Sequence, residues 1–246
     1  MLDSVSIFIA GAFVLAGFVK GVVGLGLPTI SMGLLALVMP PVEAAAILIA
    51  PSLVTNVWQM LAGPRLAVVL RRLWPMMLGV CLGTWAGAGW MIGAPARYGA
   101  ALLGVALVLY AASGLASWRF SVLAGHERWL GPAVGGATGL ISAATGVFAI
   151  PAVPYLQAIG LEKEDLVQAL GLSFTVSTAA LALNLTAAGA LNISLAGTAI
   201  GALTMAAIGM GFGQAVRRAW QPETFRLWFF VGLLVLGLYL VARAIV

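Results

Sequence analysis

Lys20 stands in a long apolar run, within the stretch Gly17-Phe18-Val19-Lys20-Gly21-Val22-Val23-Gly24-Leu25-Gly26-Leu27-Pro28-Thr29-Ile30-Ser31. A lysine at the centre of a membrane helix costs about 2.5–3.5 kcal/mol on insertion scales, and glycine and proline weaken the helix around it. These residue types together suit an anion site. The ammonium supplies charge. Gly21, Gly24 and Gly26 let backbone N–H groups approach a ligand. Pro28 can begin a new helix with Thr29 and Ser31 near its positive end. A second stretch repeats the pattern with Thr145, Gly146 and Pro151, and has Ser142 where the first has Lys20. Two helix N-termini, one lysine and several hydroxyls describe a site for an oxyanion. The alternative for Lys20 is an amine that snorkels to the membrane surface.

Two further segments carry polar groups that could line the same cavity. One holds Thr55, Asn56, Trp58 and Gln59; the other holds Ser173, Thr175, Ser177 and Asn184. Trp58 would pack on an apolar part of a ligand. The alternative is that the polar groups bond neighbouring helices. No catalytic constellation is present: there are no paired acids in the apolar segments, no Cys/His cluster, no phosphate-binding glycine loop and no Ser/His/Asp set. No catalytic residue, metal ligand or cofactor is assigned. The pair Gly24 and Gly26 lacks the strand–turn–helix context of a dinucleotide site. His126 beside Glu127 and Arg128 reads as a solvated loop. If transport is driven, an ion gradient must drive it, and the choice between H⁺ and Na⁺ stays open.

Composition sets the medium. Of 246 residues, 63% are hydrophobic and 8% charged, against about 45–50% and about 25% in soluble domains. Mean hydropathy is +1.12. The partner is therefore a lipid bilayer. The net charge of +5 comes from basic residues scattered at segment ends, which is a topology signal and not a nucleic-acid surface. Cys81, the only cysteine, reads as a small filler within a helix. The N-terminus shows no basic region of the kind that precedes a cleaved signal. Trp74, Trp118, Trp129, Trp220 and Trp228 fall at segment ends, as interfacial anchors do.

Eight apolar segments follow: 5–39, 42–62, 72–93, 98–118, 129–159, 166–188, 191–213 and 225–245. The first and fifth are too long for one span and break in the middle. Gly17–Gly24 parallels Gly139–Gly146, Pro28 matches Pro151, and Pro51-Ser52-Leu53 falls opposite Leu172-Ser173-Phe174. This is an internal duplication, with repeats 1–124 and 125–246 integrated in one membrane domain. If every segment crossed once, six basic residues would face one side and five the other. If segments one and five return to the side they entered, nine face one side and only Arg97 and Arg243 the other. The positive-inside rule selects the second arrangement. The arms Val5–Val19 and Pro28–Met39 are short for a full span, which suits re-entrant hairpins whose tips meet near the midplane; the alternative is that the arms cross fully by tilting or by thinning the bilayer, giving five spans per half. The fold class is an all-α, polytopic helical bundle of two inverted repeats, each with a broken first segment. Glycines spaced by four (Gly79, Gly83, Gly87; Gly131, Gly135, Gly139; Gly197, Gly201) read as helix-packing positions.

Phe18-Val19-Lys20-Gly21-Val22-Val23-Gly24-Leu25-Gly26-Leu27-Pro28 resembles the first signature of the TauE/SafE transporters, also called the 4-toluene sulfonate uptake permease family. Thr145-Gly146-Val147-Phe148-Ala149-Ile150-Pro151, with Tyr155-Leu156-Gln157 and Gly160-Leu161-Glu162-Lys163, is similar to the second-half counterpart. Size, duplication and layout fit over the whole chain. The resemblance implies a multi-pass cell-membrane protein, in the inner membrane of a bacterium. It would be a secondary transporter of a small sulfur oxyanion: sulfite, thiosulfate, sulfoacetate or another organosulfonate. Neither direction nor oligomeric state is fixed by it. The alternative is a passive channel for anions or small solutes.

Overall fold

The computed structural model describes residues 4–92, 98–116, 121–191, 193–217 and 222–245. The described residues form α1 (Ser4–Val23), α2 (Leu27–Leu35), α3 (Pro41–Leu61), α4 (Leu66–Ala86), α5 (Gly99–Leu115), α6 (Glu127–Thr145), α7 (Ala152–Ala158), α8 (Lys163–Ala187), α9 (Ala196–Arg217) and α10 (Pro222–Ile245), with no strand among them. Six of these helices (α1, α3, α4, α8, α9 and the Phe225–Ala244 part of α10) are long and apolar enough to cross a membrane. The protein is a polytopic helical membrane bundle.

Both long segments break where glycine and proline require it. Gly24 (φ 78°) and Gly26 (φ 102°) adopt left-handed backbone between α1 and α2, and Gly146 (φ 70°) ends α6. Other residues take this conformation only at a cost. The arms differ from the expected lengths. α1 continues helical through Lys20 to Val23, for 20 residues or about 30 Å, long enough to span. Its return arm α2 has 9 residues, about 14 Å. The extra turn of α1 holds because Gly21 lies flush on α9 and Lys20 finds buried acceptors. The two tips have different neighbours. Gly24 lies near the end of α3, where Gln59 donates to its carbonyl at 3.2 Å, while Gly146 is covered by Met32 of α2.

Four pairings organise the bundle. α1 runs parallel to α9: Gly17 sits on Ala206, Gly21 on Met210, and Gly213 on Phe18. α4 runs parallel to α6 in the same manner, with Gly79 on Pro132, Gly83 on Gly136 and Gly139 on Val80. α3 and α8 are antiparallel: Asn56 meets Thr178 and Gly63 meets Gln168. α5 and α10 are antiparallel, with Gly104 against Gly237 and Gly114 against Phe230. The ladders of α4 and α6 therefore pack as expected. Gly197 and Gly201 do not, since an added Cβ at either would meet nothing within 4 Å. Cys81 is likewise exposed on α4 and fills no gap.

These registers sort the charged residues. Arg65, Arg71, Arg72, Arg128, Lys163, Arg217 and Arg226 gather at one end of the bundle, called the basic end below, and Arg243 lies at the other. Trp58, Trp74, Trp129 and Trp228 are exposed near the basic end; Trp85 and Trp90 are exposed toward the opposite end. Two aromatic belts of this kind mark bilayer interfaces. Arg97, Trp118, Arg119, Arg218 and Trp220 lie outside the described residues.

Candidate functional site

Lys20 is 5% exposed. Its amine donates to Thr55 Oγ1 at 3.0 Å and to Asn56 Oδ1. No described carboxylate pairs with it. The snorkelling alternative therefore fails, and among the described residues the amine is held inside by neutral oxygens alone. α3 builds this cradle through helical spacing. Ser52, Thr55, Asn56 and Gln59 stand at i, i+3, i+4 and i+7, on one face, and all four are buried. Thr55 also donates to the Pro51 carbonyl at 2.7 Å, so its oxygen can accept from the amine.

Asn56 passes the contact on to α8, its amide reaching Thr178 Oγ1 at 3.4 Å. Thr178 in turn donates to the Phe174 carbonyl at 2.6 Å. Ser173 and Ser177 share this α8 face, level with the Asn56–Gln59 turn, and each is fully buried. The hydroxyls of Ser52, Ser173 and Ser177 and Gln59 Oε1 have no hydrogen-bond partner. A buried hydroxyl left so costs about 1–3 kcal/mol. Three hydroxyls and one amide oxygen without partners thus lie along the seam that carries Lys20.

The remaining candidates divide. Gly26 caps α2 in left-handed conformation with no side-chain cap, and Pro28 follows in the first turn. Thr29 is 2% exposed. Ser31 is buried but donates to its own helix, at the Leu27 carbonyl, 2.6 Å away. Thr145 donates to the Ile141 carbonyl at 2.7 Å and accepts from the Val147 N–H at 3.2 Å, so it shapes the second tip. Gly21 is a packing position: a Cβ there would come 2.4 Å from the Met210 carbonyl oxygen. Gly24 and Gly26 form the first tip, Gly146 the second. Trp58 is not brought to the seam; it is 68% exposed. Trp58→Ala is accordingly expected to leave ligand-induced thermal stabilisation unchanged and to alter basal stability by no more than about 0.5 kcal/mol.

Sequence reasoning passed over Gln168 and Thr84. Gln168 is 1% exposed, and Thr84, also buried, offers its carbonyl to Asn184 at 2.9 Å. The available signal was, for Thr84, a lone hydroxyl on an apolar helical face and, for Gln168, a place one turn after Glu164 and Asp165; neither pattern by itself separates packing from binding. Among the described residues no cluster of His, Cys, Asp and Glu could hold a metal ion.

A bundle of membrane-spanning helices around a buried lysine amine with no described carboxylate beside it defines the class: a multi-pass membrane protein with an internal polar site. The family model described as sulfite exporter TauE/SafE matches residues 9–240, and the chain belongs to that family. No curated protein and no solved structure gives a match. Membership implies membrane transport of sulfite or related sulfur anions and sets the protein among transporters, not enzymes.

Proposed function

We propose that the protein is a secondary transporter which moves a small sulfur-containing oxyanion by alternating access, binding it between Lys20 and the hydroxyls of the α3–α8 seam. The observation that carries this reading is Lys20 itself: an amine 5% exposed, bonded to two neutral oxygens, with no described carboxylate beside it. An ammonium in that setting costs several kcal/mol, and an anion offsets the cost.

The two halves, 1–124 and 125–246, serve as inverted repeats. The antiparallel contacts of α3 with α8 and of α5 with α10 support this, because each pair joins equivalent helices of the duplication. The gathering of basic residues supports placing the basic end in the cytoplasm. Sulfite, thiosulfate, sulfoacetate and toluenesulfonate form the test panel. At least one is expected to raise the thermal midpoint of the purified protein and to show counterflow in proteoliposomes. Stabilisation without trans-acceleration would make the protein a passive anion pathway. No stabilisation by any of them would overturn the anion reading.

A further inference from the structure

The α3–α8 seam is tied by polar bonds at its basic end. Gln168 donates to the carbonyls of Met60 and Gly63, at 2.7 Å each, and its oxygen accepts from the Arg65 N–H at 3.1 Å. The Arg65 guanidinium reaches Asp165 at 3.0 Å and Glu162 at 3.4 Å. Gly171 lies flush on α3, where a Cβ would come 2.4 Å from the Met60 nitrogen. The duplication sets Ala44 and Ile47 opposite Asp165 and Gln168. Neither can make such bonds, so the tie has no counterpart at the other end of the seam.

Gln59 joins this tie to the first tip. Its amide donates to the Gly24 carbonyl at 3.2 Å and to the Val167 carbonyl at 3.1 Å. It stands one helical turn, about 5 Å, from Asn56 and hence from Lys20. On the outer side of the tie is a cavity of about 490 Å³ lined by Gly63, Lys163, Glu164, Val167, Gln168 and Arg217. Lys163 and Arg217 pair with no described carboxylate.

We propose that Gln168 and the Arg65–Asp165 pair are the gate of the basic end, closed in this structure, and that Gln59 couples the gate to the anion site. Opening parts the N-terminus of α8 from the C-terminus of α3, and the freed carbonyls pass to water in the adjoining cavity. Because Gln59 holds both the tip and α8, it must release one of them when the gate opens, one turn from the Lys20 cradle. The gate stands on geometry alone; its coupling to an anion rests on the transport reading above.

The test needs no substrate. In a Cys81→Ser background, Ser173→Cys places a buried thiol inside the gate. Membrane vesicles are treated with a membrane-impermeant maleimide, and labelling of Lys163→Cys identifies the basic side. Gln168→Leu is expected to raise labelling of the buried thiol from that side by about tenfold, the scale set by losing hydrogen bonds that favour one state. Asp165→Asn, which keeps the shape of the side chain, should shift it in the same direction and decides the matter if Gln168→Leu does not fold. Unchanged labelling, or an increase only from the opposite side, would overturn the gate. Because no anion is added, this outcome is separable from failure of the ligand panel.

Discussion

Lys20→Met is expected to abolish anion-induced stabilisation and transport without lowering the stability of the ligand-free protein. The wild-type amine is buried and meets only Thr55 and Asn56, with no described carboxylate to neutralise it. Methionine keeps most of the unbranched stem and removes the charge. The change strands the Asn56 oxygen, a loss of about 1–3 kcal/mol. It also removes an uncompensated buried ammonium, whose cost is of similar or larger size. The two effects oppose each other in the ligand-free protein. In the complex they do not, because the anion loses the charge of the Lys20 amine that holds it. Truncating one partner of a buried charge pair costs about 2–5 kcal/mol, so affinity should fall by about 100-fold or more. Thermal unfolding with and without the stabilising anion measures both quantities. A Lys20→Met protein that folds and responds to the anion as the parent does would remove Lys20 from the site.

The breaks in the chain were legible because their cause is local. Gly24, Gly26 and Gly146 adopt positive φ, and glycine beside proline announces that need in the sequence. The α4–α6 interface was legible for a similar reason: glycines spaced by four make one narrow stripe. The partner of a stripe is a tertiary fact. Gly197 and Gly201 have the same spacing and pack on nothing among the described residues, whereas Gly17, Gly209 and Gly213 seal α1 to α9. Gly21 looked like part of the ligand site because it adjoins Lys20, yet neighbouring residues on a helix point about 100° apart. Trp58 could have been removed by the same arithmetic. It lies two residues from Asn56, about 200° around α3, so it must face away when Asn56 faces inward. Thr55 and Asn56 were visible as polar groups, but that they hold the amine of Lys20 depends on how α1 crosses α3.

Gly139→Ala is expected to destabilise the protein by about 3 kcal/mol or more, while the same substitution at Gly201 leaves stability unchanged or raises it by up to about 1 kcal/mol. A methyl group on Gly139 would lie 2.3 Å from the Val80 carbonyl oxygen and 2.5 Å from the Thr84 nitrogen; one on Gly201 would meet nothing within 4 Å. Backbone atoms of a packed helix cannot give way as a flexible side chain does, so α4 and α6 must separate. Gly209→Ala should behave like Gly139→Ala, since its methyl would lie 2.1 Å from the Val14 oxygen. Thermal unfolding of the purified variants in one detergent measures all three, and parent-like stability of Gly139→Ala would show that α4 and α6 do not approach so closely. The result bears on mechanism because these two glycine-sealed pairs, α1 with α9 and α4 with α6, each join one half of the chain to the other. Contacts between backbones have no alternative partners nearby and favour a rigid frame. The α3–α8 seam is held by amides and hydroxyls that can exchange protein partners for water or an anion. Movement should therefore concentrate in the seam, with the glycine-packed pairs turning as units on either side of it.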